Sequence, residues 1–307
     1  MKLAPIVLFV YNRLEHTKRT LEALKENELA KNSILYIYSD GPKNKADEIK
    51  IKNIREYIKT ITSFKKVNII ERNRNLSLAN SVIKGVTEVV NKHKKVIVLE
   101  DDLVTSPYFL NYMNKLLEKY EKEKKVYSIT GYNFPNKILR IPKNYSYSIY
   151  FNPRAASWGW ATWKNRWQNV DWDIKDFGYF IKNKQLQKQF NSGGDDMSDM
   201  LVRQIRGKLD SWAIRWCYHH FKHNALCIYP IKSYVNNIGL DESGVHCGKK
   251  NEYNIQHLNN SNQIRIPKEI VLDKKIVSNF KNVFKRNILL EIVLKTKKIL
   301  KYMDFRK

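Results

Sequence analysis

Apolar and polar positions follow two alternating periods over the first 131 residues. Residues 3–11 are a continuous apolar run, the pattern of a strand covered on both faces. Residues 14–29 place their apolar side chains at helical spacing. A second strand is predicted over 34–39, closed by the turn Asp40-Gly41-Pro42. Residues 47–62 read as a helix, 67–71 as a strand and 76–91 as a helix carrying Leu78, Val82, Val86 and Val89 on one face. Residues 95–99 form a fourth strand that runs into Glu100-Asp101-Asp102. Ser106 and Pro107 then suit the N-cap and first position of a helix reaching about residue 121. Residues 126–130 are a fifth strand. Strands alternating with helices imply right-handed crossovers and a mostly parallel sheet flanked by helices.

Beyond residue 131 the pattern is less regular. Residues 185–199, with Gly193-Gly194-Asp195-Asp196, read as an exposed loop, 209–221 as a helix and 225–229 as a short strand. All seven Trp fall in this half, and Trp160, Trp163 and Trp167 sit at helical spacing. The chain divides on this pattern into a regular half (1–131), a less regular, Trp-rich half (132–250) and a basic tail (251–307).

Composition narrows the class. At 43% hydrophobic residues, 307 positions suffice for a sizeable core. Cys217, Cys227 and Cys247 show no CxxC spacing and suit a reduced, cytoplasmic setting. No secretory leader and no membrane-spanning apolar stretch is read. The net charge of +26 attracts anions. Of the 56 basic residues 42 are Lys, spread along the chain, so most of that charge is a solvated surface. Nucleic-acid binding is the rival reading, but no nucleic-acid motif is present, and a triple-acid strand end repels phosphates unless a cation intervenes.

Ligands of such sheets bind at the carboxyl ends of the strands. Three ends here are polar: Asn12-Arg13, Asp40 and Glu100-Asp101-Asp102. Clustered carboxylates with few His or Cys suit a hard divalent cation, Mg²⁺ or Mn²⁺, with positions left for phosphate oxygens. Neither GxGxxG nor a P-loop occurs, so dinucleotide and P-loop sites are unsupported. A nucleotidyltransferase would carry a Gly-rich signature after the first strand, where this chain has Tyr11-Asn12-Arg13-Leu14. Trp158-Gly159 in Ser157-Trp-Gly-Trp-Ala-Thr-Trp163 is a candidate sugar platform, with other Trp of the segment packing the core. Asp210, before an amphipathic helix, can serve as a general base or as that helix's cap. His246 stands in a Gly-containing loop able to close over a diphosphate. His219 and His223 match no zinc pattern and read as ordinary packing.

Tyr11-Asn12-Arg13, Tyr38-Ser39-Asp40-Gly41 and Leu99-Glu-Asp-Asp-Leu103 together resemble the nucleotide-sugar domain of GT-A glycosyltransferases of family 2. They resemble more closely N-acetylglucosaminyltransferase I and its bacterial relatives, which Ser157–167, Asp210-Ser-Trp212 and Asn237–246 also resemble. The resemblance implies an inverting transfer from a nucleoside-diphosphate sugar, UDP-linked by preference, to a glycan or lipid-linked acceptor in surface polysaccharide synthesis. It implies that Arg13 and Asp40 face the base, Glu100 and Asp101 the ribose and donor sugar, and Asp102 the Mn²⁺ or Mg²⁺ on the diphosphate. Asp210 would deprotonate the acceptor, while Trp158, Gly159 and His246 would line the donor.

The tail from Lys274 carries eleven Lys or Arg against Glu291 and Asp304. Its apolar residues Phe284, Ile288, Ile292, Ile299 and Met303 recur at helical spacing. Such a basic amphipathic helix suits an anionic membrane surface or the protein's own body.

Overall fold

The computed structural model describes residues 2–241 and 251–285. The elements run β1 (Ile6–Val10), α1 (Leu14–Lys25), β2 (Ile34–Ser39), α2 (Lys45–Ile58), β3 (Lys66–Glu71), α3 (Leu78–His93), β4 (Lys95–Glu100), β5 (Leu103–Thr105), α4 (Phe109–Lys119) and β6 (Val126–Thr130). There follow β7 (Ile149–Asn152), β8 (Trp160–Trp163), α5 (Lys164–Trp167), α6 (Phe177–Lys182), α7 (Lys184–Phe190), α8 (Met197–Ile205), α9 (Trp212–Lys222), β9 (Leu226–Pro230), β10 (Val235–Asn237) and α10 (Lys274–Val283).

Eight strands form one sheet in the order β3-β2-β1-β4-β8-β6-β9-β7. The pairs β3·β2, β2·β1, β1·β4 and β6·β9 are parallel. Only β8 and β7 run against them. The mostly parallel α/β sheet expected from the alternating pattern is therefore present. Its register sets the site: Phe9 lies beside Glu100, Val10 beside Ser39 and Ser39 beside Glu71. The residues that follow β1, β2, β3 and β4 thus emerge along one edge. β5 and β10 form a separate two-stranded ribbon just beyond the end of β4.

The core lies on both faces of the sheet. One face carries Ile6, Leu8, Ile97 and Leu99 against α1 and α4; the other carries Val7, Phe9, Val96 and Val98 against α3, α9 and the tryptophans. A strand covered twice must be apolar throughout, which is why 3–11 read so clearly.

Three expectations change. Trp160 and Trp163 lie in a strand, not a helix. A three-residue step on a strand reverses the face, so Trp160 packs in one cluster and Trp163 in the other. Residues 185–199 are mostly helical, and Phe190, Met197 and Leu201 are buried. Ser106 does not cap α4. The Leu110 N–H is taken by Asn27 Oδ1 (3.0 Å), reaching across from the end of α1.

The tail expectation is met in part. Over its described length the amphipathic helix α10 packs on the body, with Ile276 and Phe280 buried beside Tyr150 and Tyr229 and with Phe284 against the same cluster. Ile288, Ile292, Ile299 and Met303 lie outside the described residues. No helix among the described residues is long and apolar enough to cross a membrane.

His219 and His220 lie in the core. Burial, then repulsion from neighbouring imidazoles, pulls His219 down to about 4 and His220 well below its ordinary value. A base with a depressed folded pKa adds stability above its unfolded value, near 6.5, and loses it as pH falls. Each such imidazole steepens acid destabilisation by up to about 1.4 kcal/mol per pH unit below 6.5. Urea midpoints from pH 7.5 to 5 should therefore fall less steeply in His220→Gln than in wild type. Equal slopes would mean that His220 does not take up a proton on unfolding.

Candidate functional site

The site grows from the end of β4. Backbone contacts on both sides hold the acid triplet in place: the Thr20 hydroxyl of α1 donates to the Asp101 carbonyl (2.8 Å), and the Ile238 N–H donates to the Asp102 carbonyl (2.8 Å). Asp101 and Asp102 are buried. Arg13 enters from the end of β1 and bridges both carboxylates, with Nη2 at 2.9 Å from Asp102 Oδ2. Burial works against its guanidinium, and the two carboxylates outweigh that, so Arg13 stays charged.

This one cation does not settle the acids. Burial, then repulsion from Asp102 and Asp101, pushes Glu100 up to about 8. Burial pushes Asp101 up to about 6 against the pull of Arg13. Both shifts mean that burial and mutual repulsion disfavour full ionisation of the three acids, and added positive charge would favour their ionised forms. Among the described residues no group of three or more His, Cys, Asp or Glu is arranged to hold a metal ion. One carboxylate completed by substrate phosphates is an ordinary way to hold Mg²⁺ or Mn²⁺, so Asp102, with two further acids beside it, fits such an ion.

The segment after β10 covers the triplet. Asn237 pairs with Leu103, and Gly239 then passes so close that a Cβ there would run into the Asp102 carboxylate and the Arg13 guanidinium. Only glycine allows that approach. Asp241 lies 3.2 Å from His16 of α1. The chain reaches Asp241 beside the site, whereas His246 lies outside the described residues.

Asp40 stands one strand away, buried. Its carboxylate accepts from the N–H groups of Leu76 (3.0 Å) and Gly41 (3.1 Å) and lies 3.9 Å from Arg72. Burial raises its pKa despite these contacts. Arg72 also stacks over Tyr38 at 5.0 Å and bonds Ser81. Arg55 ties the same edge together, donating to the carbonyls of Asp40 and Arg72. Arg13 thus sits with the triplet, while Asp40 sits with Arg72.

Asp210 lies just before α9. Ser211, not Asp210, caps that helix, accepting from the Ile214 N–H. Asp210 instead reaches the start of α3, where its Oδ2 takes the Ala79 N–H at 3.5 Å. Leu76, bound to Asp40, is three residues earlier, so Asp210 and Asp40 flank one turn of chain. Trp158 is half-buried, edge-on to Tyr132 at 4.5 Å. Gly159 takes a positive φ of 58°, and a Cβ there would press on Val235, Phe109 and Leu99, the residue before Glu100. Gly159 therefore packs against the residue that precedes the triplet, and Trp158 is its neighbour in the chain.

Sequence reasoning missed Arg72, Asp47, His16 and Gly239. Arg72 was within reach, since Glu71-Arg72 is a fourth polar strand end. Asp47 accepts from Tyr11 and Asn12 (2.8 Å each), a link between two elements that spacing does not reveal.

The family model described as Glycosyl transferase family 2 matches residues 6–181, which hold the triplet, Arg13 and Asp40. No curated protein matches the chain. Among solved structures, it is similar to the mannosyltransferase PcManGT from Pyrobaculum calidifontis, in complex with GDP-Man and Mn²⁺. The TM-score is 0.39 at 10% identity, over 53% of this chain and 45% of that one. It is also similar to S. aureus TarS 1-349, with a TM-score of 0.41 at 8% identity over 75% and 59%. The chain thus spans about half the length of these relatives. With more than half of its residues matched by one family model, and with all of the large sheet's strands but β9 inside that match, the chain belongs to glycosyl transferase family 2 and has the GT-A fold.

Proposed function

We propose that this protein is an inverting, metal-dependent glycosyltransferase that moves a sugar from a nucleoside-diphosphate sugar, UDP-linked by preference, to a glycan or glycolipid acceptor of a surface polysaccharide. The observation that carries the reading is the triplet. In a family 2 chain, a buried acid cluster closes the central strand, bridged by one arginine and covered by a glycine segment. A divalent ion on Asp102 would neutralise the departing nucleoside diphosphate, an electrostatic contribution that is usually large.

The remaining roles fall to the chain's own residues. Asp40, held by Leu76 and Gly41, and Arg72 beside it offer a polar wall for the base. Glu100 and Asp101 offer acceptors to ribose and sugar hydroxyls. Trp158 and Gly159 would border the donor sugar, and His246, as the resemblance implies, would serve the diphosphate. Asp210 takes the proton from the acceptor hydroxyl. That oxygen attacks the anomeric carbon as the bond to the diphosphate oxygen breaks on the opposite face. One displacement inverts the configuration. Asp210 lies beyond the residues of the family match, so its role rests on its place beside the Asp40 turn. The basic, apolar C-terminal stretch supports a working position at the cytoplasmic face of an anionic membrane.

Thermal shift with UDP-, GDP-, dTDP- and CMP-sugars, with and without Mn²⁺, tests the reading. One nucleotide class at about 100 times its Kd should stabilise the protein by roughly 2.7 kcal/mol. The gain should need the metal and should vanish in Asp102→Ala. No response to any of the four would overturn the donor assignment.

A further inference from the structure

A second positively charged site lies at the far end of the sheet from the β3 edge. The 140–144 loop and the start of α10 enclose a recess of about 590 Å³. Arg140, Lys143, Lys274 and Lys275 line it, with Asn144 and Asn279 as neutral polar neighbours and no acidic residue among the lining. The nearest acid in sequence, Asp273, is committed to the helix cap, accepting from the N–H groups of Lys275 and Ile276 at 2.9 Å each. The recess is built into the fold: Asn279 donates to the Arg140 carbonyl at 2.8 Å, and Ile276 and Phe280 anchor α10 in the core.

Exposed apolar side chains adjoin it. Val271 is 62% exposed and Leu272 38%, with Asp273 between them and Lys274. Tyr147, 39% exposed, stacks edge-on against Tyr145, which lies near Asp273. Four cations around a concave surface recognise phosphate. Apolar side chains at its margin have no use for a soluble anion but can enter the interfacial layer of a bilayer, where Lys and Arg beside them meet headgroup phosphates.

We propose that this recess and the Val271-Leu272 step dock the protein on an anionic lipid surface, its four basic side chains taking headgroup phosphates. The proposal rests on the membrane-face position given above and not on the transfer reaction, so it is tested without donor or acceptor. Sedimentation of the full chain with vesicles is the experiment, comparing phosphatidylcholine alone with phosphatidylcholine containing one third phosphatidylglycerol.

Wild type should partition only onto the anionic vesicles. Lys274→Gln/Lys275→Gln should lower partition roughly 25-fold, at about fivefold per basic residue. Lys52→Gln/Lys59→Gln removes the same charge beside α2, at the opposite edge of the sheet, and should change it little. Val271→Ser/Leu272→Ser, which keeps every charge, should lower it several-fold. All six positions are exposed on the surface, so unchanged circular dichroism should accompany each variant.

If wild type partitions and Lys274→Gln/Lys275→Gln partitions equally, the recess is not the docking site. If wild type ignores anionic vesicles, the membrane-face position falls as well, leaving the transferase reading intact. If inorganic phosphate binds by calorimetry, is lost in Lys274→Gln/Lys275→Gln, and vesicles are ignored, the recess serves a soluble phosphate and the lipid assignment is overturned.

Discussion

Asp210→Asn should lower kcat for sugar transfer by about 10²–10⁴-fold, the usual contribution of a positioned general base. The substitution separates two roles that Asp210 combines. Its Oδ2 receives the Ala79 N–H at the start of α3, where Ser77 offers no side-chain cap. An asparagine oxygen can keep that contact, so stability should change by less than about 1 kcal/mol. The amide cannot take a proton from an acceptor hydroxyl. Donor KM should stay near wild type, because Asp210 acts on the acceptor. Asp210→Ala should lose the base and the helix contact together, adding a fall in Tm to the same loss of rate. Initial rates with saturating donor, beside thermal melts of both variants, decide the matter. If Asp210→Asn keeps kcat within about threefold of wild type, Asp210 only steadies α3, and the base must be sought elsewhere along the same cleft.

The acid triplet was legible from sequence because strand geometry leaves little choice. A doubly covered strand is a run of apolar residues, and the first polar residues after it must lie at the sheet edge. That rule places Arg13, Asp40 and Glu100-Asp101-Asp102 together without any knowledge of packing, and the observed register of β1, β2 and β4 agrees. What it could not give is pairing along that edge. Arg13 goes to the triplet and not to Asp40, because Asp40 already has two N–H donors and Arg72. Gly239 and His16 draw their meaning from a segment that returns to β4 more than 130 residues later. Spacing carries no trace of such a contact. Ser106 failed as a cap for the same reason, since the acceptor that serves α4 comes from Asn27.

Trp160→Ala should cost about 3–5 kcal/mol, the usual penalty for emptying a large aromatic site in a packed core. The tryptophan run shows where local pattern misleads. Trp160, Trp163 and Trp167 fit a helical period, yet β8 is inserted antiparallel between β4 and β6, and pairing with those distant strands overrides the local period. Trp160 is 1% exposed, stacks on Trp212 at 4.8 Å and lies 5.4 Å from Trp167. Those partners belong to α5 and α9, and the cluster they share with Trp160 includes Val7, Val96 and Val98, so the cavity would open where the two halves of the chain meet. The fall in Tm should be about 5–8 °C for a chain of this size. Donor affinity should change little at a temperature where the variant is folded, since Trp160 faces the core. Trp158→Ala should do the reverse: Trp158 is half-buried and is proposed above to border the donor sugar, so its loss should weaken donor binding more than it lowers Tm. Measuring Tm and donor Kd for both variants separates the core tryptophan from the cleft tryptophan. A shift below about 2 °C for Trp160→Ala would mean that the aromatic cluster closes over the gap, and that the joint between the halves is held by the sheet pairing instead.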